Sequence, residues 1–177
     1  WGRAMQADLD DGLDWLIAQG ITDPQRSCMM GGSYGGYAAL VAAFKSVDRY
    51  KCAVAFAPVT DINELIREQR NFVLSKGSID KLKDRDNQAE VSPIEQVENF
   101  SIPLLIVHGD VDRTVKIEQS RTLTEALKAA GADYQYIEQK NGDHYLSLES
   151  HRREFLLAVD GFLERHIGAA NQSADSL

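Results

Sequence analysis

The chain has 177 residues, with 19 Lys and Arg against 27 Asp and Glu, a formal net charge of −8. Hydrophobic residues make up 44% and charged residues 26%, which is globular composition and not that of a disordered or fibrous chain. The acidic balance, with no Lys/Arg-rich block, argues against nucleic acid and an anionic membrane surface as partners, and no apolar run approaches the roughly 18 residues of a membrane span.

Trp1 stands where a gene product carries Met, which predicts a fragment or a processed chain. With the native N-terminus expected to be absent, the location is left open, the cytoplasm being only the default expectation. Leu9, Leu13, Leu16 and Ile17 recur at helical spacing with Asp8, Asp10, Asp11 and Asp14 between them. They predict a helix from Arg3 to Gln19, ended at Gly20. Asp23-Pro24 opens a turn. A short strand is expected from Arg26 to Met30, a glycine-rich turn from Gly31 to Gly36, and an Ala-rich helix from Tyr37 to Ser46. Lys51 to Ala57 reads as a second strand, stopped by Pro58.

Asp61 to Asp86 is polar and helical in parts, with a break at Gly77, and its Lys81–Asp86 charge run reads as a solvated face. Ser92-Pro93 opens another short helix. Pro103 to His108 is an apolar run of the kind buried on both faces of a parallel sheet. A helix from Ile117 to Ala130 closes at Gly131, a strand follows from Tyr134 to Glu138, and a last helix runs from Leu148 to His166. Residues 168–177 are small and polar and are expected to form a flexible tail. Cys28 and Cys52 are too few for a disulfide framework or a zinc site, and are expected as reduced thiols in apolar strands. Trp1 and Trp15 read as packing residues.

Strands that alternate with helices predict an α/β fold with a mostly parallel sheet. Chemistry in such sheets collects at the carboxyl ends of the strands. Three sharp loops are expected there: Gly31–Gly36, Gly109–Val115 and Asn141–His144.

Gly31-Gly32-Ser33-Tyr34-Gly35 fits G-x-S-x-G between a strand and a helix. Small residues let strand and helix approach, the turn lifts the hydroxyl out of the sheet, and the helix N-terminus aims amide donors at the same spot. A serine hydroxyl needs a base to become a nucleophile, and in this architecture the chain order is Ser, acid, His. His144, in a Gly-Asp-His loop, is the candidate base. His151 and His166 on the closing helix read as solvated or capping groups. His108 precedes the acids and reads as structural, near the site. Asp110 and Asp112 both follow the third strand. Asp112 is the favoured acid, and Asp110 the residue that shapes the loop.

These segments resemble the catalytic domain of the prolyl oligopeptidase family of serine peptidases, and look closest to its dipeptidyl-peptidase and acylaminoacyl-peptidase branches. The matching segments are Asp8-Leu9-Asp10-Asp11-Gly12-Leu13-Asp14-Trp15-Leu16, Asp23-Pro24-Gln25-Arg26, Gly31 to Tyr37, Ala57-Pro58-Val59-Thr60-Asp61, His108 to Val115, and Gly142-Asp143-His144. The resemblance implies an α/β-hydrolase fold truncated to its later strands, about four of them. Residues 1–167 would form the partial catalytic domain. It implies Ser33 as nucleophile, Asp112 as acid and His144 as base. The Tyr34 amide would serve the oxyanion hole and its ring the substrate pocket. Val59, Ile62, Leu65 and Val115 fall where the family lines that pocket, and being aliphatic they imply a roomy apolar one.

The implied function is a serine-type peptidase acting on short peptides through an acyl-enzyme. It needs no cofactor, and no metal-ligand spacing is seen. A carboxylesterase-like hydrolase and a catalytically silent, self-associating fragment are the alternatives. The missing earlier strands imply an unpaired edge beside Arg26–Met30, and so self-association or pairing with the absent N-terminal part.

Overall fold

The computed structural model describes residues 1–69 and 88–168. Among them are four strands: β1 (Cys28–Gly32), β2 (Cys52–Phe56), β3 (Leu104–Gly109) and β4 (Tyr134–Gln139). They form one sheet in chain order, and every pairing is parallel. Parallel neighbours need crossover connections, and helices supply them. Helix α2 (Tyr34–Lys45) joins β1 to β2, and α4 (Glu118–Ala130) joins β3 to β4. Between β2 and β3 lie α3 (Ile62–Gln69) and a 3-10 turn at Pro93–Asn99. Helix α1 (Ala4–Ala18) precedes the sheet, and α5 (Glu149–Ile167) follows it.

Alternation along β3 divides the core in two. Leu104 and Ile106 pack with Leu123 and Leu127 of α4 and with Ala39, Leu40 and Ala43 of α2. Leu105 and Val107 point the other way, onto Val159 and Phe162 of α5. Every residue of β2 and β3 is buried, which is why both read as continuous apolar runs.

Most observed elements lie within one or two residues of the expected bounds. The clearest difference is at the first turn. Gly31 and Gly32 continue β1, paired with Ala55 and Phe56, and α2 begins at Tyr34. Two glycines in the first turn of α2 hid its start, because glycine is a poor helix former. Most of the polar stretch after α3, including the Lys81–Asp86 charge run, and the tail after Gly168 lie outside the described residues.

Three expectations are corrected. Cys28 and Cys52 are not free thiols but are joined as a disulfide. They are register partners across β1 and β2, 4.7 Å apart at Cα, so parallel pairing sets both side chains on one face. That adjacency is a property of strand order, which their spacing in the chain did not show. Trp15 is 59% exposed and packs little, since α1 buries only Gln6. His151 is buried rather than solvated, with Nδ1 unpartnered. No described helix is long and apolar enough to cross a membrane.

Candidate active site

Ser33 sits on the turn from β1 into α2, with φ 56° and ψ −118°. Positive φ is strained for a residue with a Cβ and is held by its surroundings. The Ser33 amide donates to the Phe56 carbonyl at 2.8 Å, and its carbonyl accepts from the Tyr37 amide at 3.0 Å. The chain is thus pinned on both sides of the hydroxyl, which makes no capping bond. A Cβ on Gly31 would stand 2.4 Å from the Gly35 carbonyl carbon. Strand and helix can meet at the turn only because Gly31 lacks a side chain. Tyr34, the first helical residue, has an amide with no acceptor one turn back in the helix.

Asp112 follows β3, and its side chain is fully buried. Oδ1 accepts the amides of Thr114 at 2.7 Å and Val115 at 2.9 Å. Oδ2 lies 2.6 Å from His144 Nδ1. Burial alone would push this carboxyl up. The hydrogen bonds from His108, His144, Val115 and Thr114 outweigh it and hold the group down to about 2, from an ordinary 3.8. Asp112 is therefore an acceptor only. His144 Nδ1 must carry the hydrogen between them, and in the neutral ring the lone pair is then on Nε2.

Backbone contact holds this pair together. A Cβ on Gly109 would lie 2.3 Å from the Gly142 backbone, so the acid loop and the base loop touch main chain to main chain. The Val111 amide donates to the Gly142 carbonyl at 3.0 Å, and the Asp110 amide to Gln139 at 3.1 Å. Asp110 Oδ1 accepts the Asn141 amide at 2.6 Å, the loop-shaping part expected of it. Asp143 Oδ1 accepts the amides of Tyr145 and Ser147, and Arg152 donates to the Leu146 and Ser147 carbonyls. His144 therefore rides on a loop with few free backbone groups.

The four aliphatic pocket candidates come together. Val59, Ile62, Leu65 and Val115 are buried in one cluster with Tyr37, Val41, Ile66 and Val91, and Tyr34 packs against it. Trp1 also packs against this cluster, with ring centroids 4.9 Å from Tyr34 and 5.1 Å from Tyr37. Tyr37 is enclosed and donates its hydroxyl to the Val91 carbonyl at 2.8 Å.

One supporting residue, Gln119, was missed in the sequence, and a second, His108, was read there as structural and near the site. Gln119 of α4 accepts the amides of Thr60 and Asp61 through Oε1, at 2.8 and 2.7 Å, and fastens the loop after β2 beside the acid turn. His108 does more than sit near the site: its ring reaches Asp112 itself. A buried glutamine one residue into a helix has no sequence signature. A histidine at the end of an apolar strand was a visible signal.

The sequence pattern of the prolyl oligopeptidase family matches residues 1–170. The chain belongs to the prolyl oligopeptidase family. Among curated members of the family, dipeptidyl aminopeptidase BIII of Pseudoxanthomonas mexicana is 28% identical over 176 residues, covering 95% of this chain and 26% of that protein. The acylamino-acid-releasing enzyme of Rattus norvegicus is 25% identical, covering 92% of this chain and 23% of that protein. A puromycin-hydrolyzing peptidase of Mycobacterium tuberculosis superposes with a TM-score of 0.87 at 23% identity, over 95% of this chain and 26% of that one. An acylaminoacyl peptidase of Pyrococcus horikoshii gives 0.82 at 24%, over 94% and 28%. The fold is that of the α/β-hydrolases. This family member spans about a quarter of the length of the relatives it matches.

Proposed function

We propose that this chain carries the acylation chemistry of a serine peptidase acting on short peptides. In this reading Ser33 Oγ attacks the scissile carbonyl carbon. His144 Nε2 takes its proton and later returns it to the leaving amine, giving an ester between Ser33 and the acyl group. Water, activated by the same imidazole, then cleaves that ester. Asp112 keeps the tautomer and stabilises the imidazolium. The Tyr34 amide donates to the developing oxyanion. Tyr34, backed by the buried cluster of Val59, Ile62, Leu65 and Val115, supplies the apolar side of the substrate pocket.

The observation that carries the reading is the 2.6 Å Asp112–His144 hydrogen bond at the same sheet edge as the strained Ser33 turn. The test is the intact mass of the chain after incubation with a fluorophosphonate, beside Ser33→Ala. One adduct, absent from the variant, is expected. A folded chain without an adduct overturns the reading. Hydrolysis of small acyl esters without peptide amides would make the chain an esterase instead.

A second proposal rests on the edge of β1. Among the described residues β1 pairs only with β2, and Met30 on it is 57% exposed. A groove lined by Leu13, Cys28, Met30, Tyr50, Leu163 and Ile167 runs alongside. Unpaired strand edges recruit strands. We infer that the chain associates through this edge, with a second copy or with a further strand of a longer chain. A monodisperse monomer by light scattering would sink that inference.

A further inference from the structure

His108 is the fully buried member of β3 whose side chain is not apolar. Strand alternation gives it the same face as Leu104 and Ile106, toward α4. A leucine would serve packing there. A buried imidazole costs stability unless its ring nitrogens are hydrogen-bonded, and both of these are.

Nδ1 lies 2.7 Å from Ser120 Oγ of α4. Nε2 lies 3.0 Å from the Val115 carbonyl and 3.3 Å from Asp112 Oδ2. A carbonyl and an ionised carboxylate only accept, so Nε2 carries a hydrogen and shares it between them. In the neutral ring the Ser120 hydroxyl then donates to Nδ1. Val115 is held twice: its carbonyl by His108, and its amide by Asp112 Oδ1. The ring therefore grips both the carboxylate and the turn whose amides orient it.

We propose that His108 is a positioning residue for the acid of the proposed triad, locking the Asp112–Val115 turn so that Oδ2 stays aimed at His144. The inference rests on the serine-hydrolase reading above and deepens it. Asp112 thereby has four donors: two amides on Oδ1 and two imidazoles on Oδ2. The Asp112 charge also acts on Asp143, on the loop of His144. Glu138 of β4 acts on His108 and is itself held by Arg121 of α4 at 2.6 and 3.0 Å.

The test is NMR on isotopically labelled chain. In the wild type, long-range proton–nitrogen spectra of the His108 ring should show hydrogen on Nε2. A ring protonated on Nδ1 with a bare Nε2 overturns the proposal, and this readout needs no variant. The side-chain carboxyl carbon of Asp112, assigned with Asp112→Asn, then gives its titration midpoint. His108→Phe keeps a ring in place but donates nothing, and should weaken Asp112 as an acid about tenfold. His108→Gln, whose amide can donate, should restore most of that loss. A folded His108→Phe with an unmoved midpoint overturns the proposal. If that variant does not fold, the wild-type tautomer decides. Fluorophosphonate labelling in the same samples separates the two claims. Failure to label Ser33 ends the hydrolase reading, while tautomer and midpoint still decide what His108 does to Asp112.

Discussion

The two flanks of the sheet differ in how well they are covered. Every residue of β3 is buried, and α4 encloses Leu123 and Leu127 against it. None of β1 is fully buried, and α1 contributes one buried side chain, Gln6. The proposed acid hangs from the enclosed strand β3, the proposed base from β4, an edge strand of the described sheet that is mostly half-buried, and the proposed nucleophile from the bare β1. The acid–base pair therefore carries its own support, in glycine contact, loop hydrogen bonds and α4. Ser33 depends on a strand that, among the described residues, has a single partner and, unlike the His144 loop, no glycine-to-glycine contact with the acid loop.

The largest effect is expected where the covered flank is joined. Gly109→Ala places a methyl group against the Gly142 backbone, where no flexible side chain can yield. Fluorophosphonate labelling should fall by about 10²-fold, as expected for displaced reacting groups, and stability by about 3 kcal/mol. Labelling at the wild-type rate would show that the two loops do not need this approach.

The bridge should matter next, because it ties the bare flank to the covered one. Reduction of Cys28–Cys52 frees a loop of 24 residues in the unfolded chain and should cost about 3 kcal/mol in urea unfolding. A reduced chain as stable as the oxidised one would mean that β1 is held by its backbone pairing alone.

The pH dependence sharpens the account of the covered flank. The Asp112 carboxyl is lowered from 3.8 to about 2, so its stabilisation is complete above the ordinary value and is lost as pH falls through about 2. Between about pH 5 and pH 2, Asp112→Asn should remove up to about 2 kcal/mol of the wild-type fall in stability. Identical slopes in the two proteins would show that the group is not stabilised by folding.

The smallest effect on stability belongs to the bare flank. Met30 is exposed on β1, and Met30→Lys should leave folding within about 0.5 kcal/mol while lowering association in sedimentation velocity. Unchanged association would move the contact away from this edge.

The parts of the site legible in the sequence were those with local chemistry. A glycine–serine–glycine turn announces itself because backbone sterics demand those residue types in a row. The Gly-Asp-His loop and the paired aspartates after an apolar strand were visible for the same reason. What stayed hidden depends on register and approach between distant segments. Gly109 and Gly142 read as ordinary turn glycines until the loops are laid together. Cys28 and Cys52 became neighbours only through strand order. Gln119 earned no notice because any helix carries a glutamine. Trp15 misled in the opposite sense: it has the residue type of a core and lies on a helix with little to cover it.

The hydrogen bond from the Ser33 amide to Phe56 bears on the direction from which an acyl group can approach. Some serine peptidases lend the nucleophile's own N–H to the tetrahedral intermediate. Here that N–H is already committed to holding the turn. On the proposed chemistry, a carbonyl at Ser33 must therefore point its oxygen toward the Tyr34 amide. Its leaving group then departs on the side of His144, and the attack is restricted to one face of the substrate.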